Sequence, residues 1–175
     1  MSNLIKNSFL FNFKEIKNNF LRKENIFYFF IIILIFFFDR ISKQKIILNL
    51  NETIYFYNDY INFNLIWNIG IGFGLLSTNS ILLYNLVTTV IGVIILILIY
   101  CLILSKSIDK LIYALILGGA LGNFYDRLIY QAVPDFIDLH YNNFHWFTFN
   151  VADIFITMGI IIFVLNSFFD KNLKK

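Results

Sequence analysis

The sequence predicts an all-α membrane protein of four transmembrane helices with a small β-rich piece on its outer side. Three observations predict it. The 175 residues are 59% hydrophobic, against about 45–50% for water-soluble domains. Only 14% are charged, and the mean hydropathy is +0.73. Residues 81–104 form an uncharged run of 24, enough to cross a hydrocarbon core of about 30 Å at 1.5 Å per residue.

The first span covers about 26–47. It is uncharged through Phe38 and then meets Asp39, Arg40 and Lys43. The second is 81–104, and the third runs over about 111–127, ending on Asp126 and Arg127. The fourth covers 151–169, interrupted by Asp153 and Asn166. Residues 1–25 form a basic extension and 170–175 a basic tail, with the membrane domain over 26–169. Lysine and arginine then set the orientation. They gather before span one (Lys6, Lys14, Lys17, Arg22, Lys23), between spans two and three (Lys106, Lys110) and in the tail (Lys171, Lys174, Lys175). The segments 48–80 and 128–150 contain neither residue. This asymmetry puts both termini in the cytoplasm and the two longer loops outside. No small-residue cleavage site follows Phe36-Phe37-Phe38, so the first helix is expected to be retained.

The outer loop 48–80 has two β-prone stretches, 54–57 and 61–67, with a turn at Asn58-Asp59. Gly70, Gly72 and Gly74 follow without the βαβ context of a nucleotide fingerprint. Loop 128–150 carries Asp135 and Asp138, the latter read as solvated. His140 and His145 are also placed in this exposed loop, five apart and with no evident third ligand, so no metal is assigned. Cys101, alone in an apolar run, excludes an internal disulfide and a cysteine-based zinc or iron–sulfur site.

Ionisable groups inside a membrane are costly and mark function. Here those embedded in the spans fall at one depth. Asp39 and Lys43, four apart, share a face near the outer end of span one. Asn123, Asp126 and Arg127 share a face at the outer end of span three. Asp153 is in the first turn of span four, with Asn150 three residues earlier as its N-cap. Asp39–Lys43 and Asp126–Arg127 also read as structural pairs tying helix ends. Gly118, Gly119 and Gly122 read as a close-packing surface between helices. With no histidine in a span and no serine or cysteine beside a base, the available chemistry is that of two carboxylates sharing a proton. Spacing alone leaves Asp126 and Asp135 open as the partner of Asp153. A proton or cation relay and a structural adaptor are the alternative classes; a relay would spread its carboxylates across bilayer depth.

Four blocks, in order, resemble the bacterial prolipoprotein signal peptidases (signal peptidase II). They are Asp39-Arg40-Ile41-Ser42-Lys43; residues 68–74, from Asn68 to Gly74; residues 118–127 with Val133-Pro134-Asp135-Phe136; and Phe149-Asn150-Val151-Ala152-Asp153. The resemblance implies a four-helix membrane aspartic peptidase with a β-cradle and a small outer-surface helix. Such enzymes cut the signal peptide from a diacylglyceryl-modified prolipoprotein, just before the lipidated cysteine. It implies Asp135 and Asp153 as catalytic, with Asn68, Asn123, Arg127 and Asn150 holding substrate or dyad. Asp39, Lys43, Asp126 and Gly122 are then structural. It further implies no cofactor, no nucleic acid, residence in the bacterial inner membrane with the site at the outer face, and inhibition by globomycin-type cyclic peptides. Two positions depart from the family pattern: Gly72, where alanine is usual, and Pro134, where a β-branched residue is common.

Overall fold

A computed structural model describes residues 20, 22–49, 55–70, 80–105, 108–142 and 144–173. Four helices carry the chain: α1 (Lys23–Asn49), α2 (Ile81–Leu104), α3 (Ile108–Tyr130) and α4 (Val151–Leu173). Between them lie β1 (Tyr55–Phe56), β2 (Ile61–Asn68), β3 (Val133–Tyr141) and β4 (Phe144–Phe149). By length and composition α1, α2 and residues 151–169 of α4 can cross a membrane. Most of the basic extension, Gly72, Gly74, Lys106, Lys174 and Lys175 lie outside the described residues.

Polarity is inverted relative to a protein in water. Asp39, Lys43, Asp126 and Asn150 are all 0% exposed, while Phe37 and Phe38 are 57% and 62% exposed. A solvent that tolerates phenylalanine and rejects charge accounts for both. The helix α3, which carries Asp126 and Arg127, packs against α1, α2 and α4 and is thereby sheltered. Its apolar side joins Ile32, Ile95, Leu102, Ala114 and Leu117 in one cluster. At the far end from the aspartates, Lys110 bonds Asn25, whose amide reaches the Ile103 carbonyl at 3.3 Å, tying α1, α2 and α3.

Small residues set how closely the helices approach. At Gly118 a Cβ would stand 2.7 Å from Ile35 Cβ on α1. One turn later, a Cβ at Gly122 would overlap Asp39 Oδ2, and one at Gly119 would overlap the Ala152 carbonyl of α4. The glycines are therefore a packing surface, as expected, and two of them touch the polar cluster. Gly122→Ala is expected to cost about 1–3 kcal/mol through overpacking. It should also lower activity, because Asp39 has nowhere to retreat. Thermal unfolding in detergent beside an activity assay checks this, and wild-type behaviour in both would contradict it.

The strands form one antiparallel sheet in the order β1-β2-β3-β4. The β1–β2 turn follows the sequence expectation. Asn58 Oδ1 accepts the backbone N–H groups of Tyr60 and Ile61 at 2.8 and 2.9 Å. The segment 128–150 departs from it, being a hairpin and not a loop. Gln131 (φ 54°) ends α3 and Asn142 (φ 53°) turns β3 into β4. β2 pairs with β3 across two intervening helices, from Ile61↔Leu139 to Asn68↔Val133. Pro134 stands opposite Trp67 without breaking the strand; β4 pairs only from Ile137 onward, so this end of β3 has a free side. No separate short helix occurs among the described residues.

Candidate active site

Asp135 sits on β3 opposite Ile66 of β2, and Asp153 is the third residue of α4. Asn150 links them. As N-cap of α4 its Oδ1 accepts the Asp153 N–H at 3.1 Å, while Asp153 Oδ2 accepts the Asn150 N–H at 3.1 Å. This is a reciprocal capping box with asparagine and aspartate in its two roles. The Asn150 side-chain amide then donates to Asp135 Oδ1 at 2.6 Å.

Two further asparagines complete the arrangement. Asn68 donates to Asp135 Oδ2 at 2.9 Å, and its own oxygen accepts the Gly70 N–H at 2.8 Å. Asn123 donates to Asp153 Oδ1 at 2.8 Å, and its oxygen accepts from Lys43 Nζ at 2.8 Å. All three asparagines therefore follow one design. A group that can only donate holds the amide oxygen, which fixes the NH₂ toward an aspartate. Each aspartate receives two N–H donors.

Lys43 anchors the shell beneath. Its ammonium reaches Asp39 Oδ2 at 2.7 Å, Asp126 Oδ2 at 2.7 Å and Asn123, using all three donors. Asp39 Oδ1 also accepts the Ala152 N–H at 3.0 Å, satisfying one of the open donors at the start of α4. The expected Asp39–Lys43 pair is present, but the expected Asp126–Arg127 pair is not. Asp126 pairs with Lys43 and Arg40 instead. Arg127 donates to the carbonyls of Asn123 (3.2 Å) and Gly70 (2.8 Å), and so positions the backbone beside Asn68. Sequence reasoning assigned no role to Arg40, which also lies 4.9 Å from the Tyr125 ring centre. Its signal was available: a second cation embedded in span one, directly after Asp39. Asp39 and Asp126 against Lys43 and Arg40 make a neutral set.

The electrostatics of Asp135 differ from those of an exposed carboxylate. Burial, then the nearby charge of Asp153, raise its pKa from the ordinary 3.8 to about 6, against the pull of the hydrogen bonds from Asn68 and Asn150. Beside Asp153 a groove of about 290 Å³ opens along α4, lined by Leu139, Phe147, Phe149, Ile154 and Met158.

The family profile described as Signal peptidase (SPase) II matches residues 31–169. The chain belongs to the signal peptidase II family. A lipoprotein signal peptidase of Pelagibacter ubique is 48% identical over 141 residues, covering 78% of this chain and 84% of that one. That of Francisella tularensis subsp. novicida is 38% identical over 116 residues, covering 64% and 72%. A bacterial membrane enzyme solved by the in meso method at 2.3 Å resolution superposes with a TM-score of 0.70 at 27% identity, covering 85% of this chain and 91% of that one. A second, at 1.9 Å resolution, gives 0.64 at 26% identity, covering 79% and 90%. Family membership accounts for the combination of apolar helices and a small sheet.

The sequence places Asp138 in solvent and His140 and His145 in an exposed loop; His145 is exposed, but all three lie on strands and Asp138 is buried. Asp138 is on β3 and only 7% exposed, with Oδ2 2.8 Å from His145 Nδ1. His140 and His145 are opposite one another on β3 and β4.

Proposed function

We propose that this protein is the membrane aspartic endopeptidase that removes the signal peptide from diacylglyceryl-modified prolipoproteins, cutting just before the lipidated cysteine. Asp135 and Asp153 are its catalytic dyad. The observation that carries the proposal is Asn150. One residue bonds both aspartates, its backbone N–H donating to Asp153 and its side-chain amide to Asp135, so carboxyl groups from a helix and a strand are held against one residue.

Asp153, within the first turn of α4 and near its positive end, is the carboxylate that stays charged. Asp135 carries the proton. Water placed between them loses a proton to Asp153 as it attacks the carbonyl, while Asp135 donates to the carbonyl oxygen. A proton then returns to the leaving amine. Asn68, Asn123 and Asn150 fix the carboxyl orientations, and Arg127 holds the Gly70 backbone. Asp39, Lys43, Asp126 and Gly122 hold the helix ends.

The groove beside Asp153 suits the apolar part of the substrate, entering from lipid. Among the described residues, β1 covers only Asn62 and Phe63 of β2, which leaves a strand edge for an extended peptide. In this reading α3 is the fourth crossing, residues 26–169 are the peptidase domain, both termini are cytoplasmic and the dyad faces outward. A globomycin-type cyclic peptide competes with substrate, and no nucleic acid is involved.

The test is cleavage of a diacylglyceryl-modified prolipoprotein and its unlipidated form in liposomes, as a function of pH. Only the lipidated form should be cut. Because the dyad must keep one proton, kcat/KM should fall by about tenfold per pH unit above about 6. Equal cleavage of the unlipidated form would overturn the substrate assignment. Activity that rises through this range without a fall would overturn the proton assignment.

A further inference from the structure

We propose that Asp138, His140 and His145 form a binding site for a divalent transition-metal ion of the zinc type, on the face of the sheet turned away from the dyad. The chain contains two histidines in 175 residues, and both are in this cluster. Asp138 and His140 alternate along β3 and share one face. His145 is the cross-strand partner of His140 on β4. The two imidazoles stack with centroids 5.2 Å apart and planes 19° from parallel. One ligand atom from each of the three residues lies within 4.8 Å of the others.

Asp135 and Leu139 belong to the opposite face. Leu139 lines the groove with Asp153, whereas His140 lines a separate cavity with Phe56 and Tyr60. The cluster is thus distinct from the peptidase site.

A simple Asp–His hydrogen bond explains part of this arrangement. Asp138 and His145 are 2.8 Å apart, and Asp138 is buried. It does not explain His140, whose Nδ1 is enclosed with no hydrogen-bond partner among the described residues. An enclosed, unpaired imidazole nitrogen beside a buried carboxylate and a second imidazole is an incomplete polar set. An ion completes it.

The donor set narrows the ion. Two imidazoles and one carboxylate favour zinc and its borderline neighbours over magnesium or calcium, which take oxygen donors. Zinc bonds of about 2.0–2.1 Å require the three atoms to draw somewhat closer than 4.8 Å. The His145 side chain is 56% exposed, so its ring is free to make that movement. Its exposure also leaves the fourth position to water. The ion would staple β3 to β4 between Asp135 on one strand and Asn150 just beyond the other, stiffening the segment that carries half of the active site.

The experiment is equilibrium dialysis of untagged protein in detergent against zinc chloride, with metal quantified per chain. Parent and variants carry Cys101→Ser, to remove the chain's only thiol. The parent should bind one equivalent and show a rise in unfolding temperature, with magnesium unable to compete. His145→Gln, at an exposed position where the glutamine amide can still donate to Asp138, should weaken binding by at least about tenfold. Asp138→Asn and His140→Gln should do the same where they fold. Less than a stoichiometric ion on the parent, equal retention by His145→Gln, or displacement by magnesium at comparable concentration would each overturn the proposal.

Discussion

Asp135→Asn and Asp153→Asn are each expected to reduce cleavage of lipidated prolipoprotein by roughly 10³-fold, the middle of the range for loss of a general acid or base. An asparagine fills the same space but supplies one acceptor oxygen and one NH₂ in place of two acceptors. At position 135 that NH₂ would face the donor of either Asn68 or Asn150. At 153 it would face either the Asn123 amide or the Asn150 N–H. Stability should change far less than activity. A carboxyl whose pKa rises from 3.8 to about 6 on folding contributes most stability below the unfolded value, and loses it as the pH rises through the folded one. At neutral pH the parent therefore bears a cost of up to about 3 kcal/mol for holding the Asp135 charge. Asp135→Asn removes that cost and incurs the donor clash, so its unfolding temperature should stay within a few degrees of the parent. A folded Asp135→Asn protein that still cleaves at a tenth of the parental rate would eliminate Asp135 from the chemistry.

Lys43→Met should have the largest effect on stability. The ammonium is 0% exposed and every one of its protons is used. Methionine replaces the stem but leaves Asp39 with the Ala152 N–H as its hydrogen-bond donor, and Asp126 with Arg40. Removing one partner of a buried ion pair costs about 3–5 kcal/mol, a large share of the roughly 5–15 kcal/mol that holds a domain together. Membrane yield and unfolding temperature should both drop. The Asn123 oxygen also loses its anchor, so the amide is free to turn its NH₂ away from Asp153. Protein that does fold should show a lower kcat and a displaced pH profile, which a purely structural lysine would not produce. Lys43→Arg should not rescue, because a planar fork cannot place three donors where one ammonium does. An unfolding temperature equal to the parent would refute this account of the cluster.

The parts legible in the sequence are those governed by local composition. An uncharged run has one low-energy state in lipid, so span two was expected over 81–104 and is Ile81–Leu104. Asn58 makes its turn through contacts two and three residues away, and was legible for the same reason. The gathering of Asp39, Lys43, Asn123, Asp126 and Asp153 at one depth followed from alternating span directions. Partner choice within that cluster did not. Whether Asp126 meets its neighbour Arg127 or the distant Lys43 depends on how α1 and α3 are rotated, which Gly118 and Gly122 settle by letting α1 approach. The hairpin was missed because β3 is completed by β2, two helices earlier in the chain, and no local pattern encodes that pairing. Its consequence was to read Asp138, His140 and His145 as unstructured. The choice of Asp135 over Asp126 came from family resemblance; the contact with Asn150 supplies the geometric support that spacing lacked.

The double duty of Asn150 has a dynamic consequence. Helix ends ordinarily fray on fast timescales with little harm. In the proposed mechanism the bonds that close the first turn of α4 also orient the dyad, so each fraying event would be a pause in catalysis. Hydrogen exchange at Ala152 and Asp153 should therefore be slow, close to that of the helix interior, and agents that loosen this turn should act as reversible inactivators without touching the substrate groove.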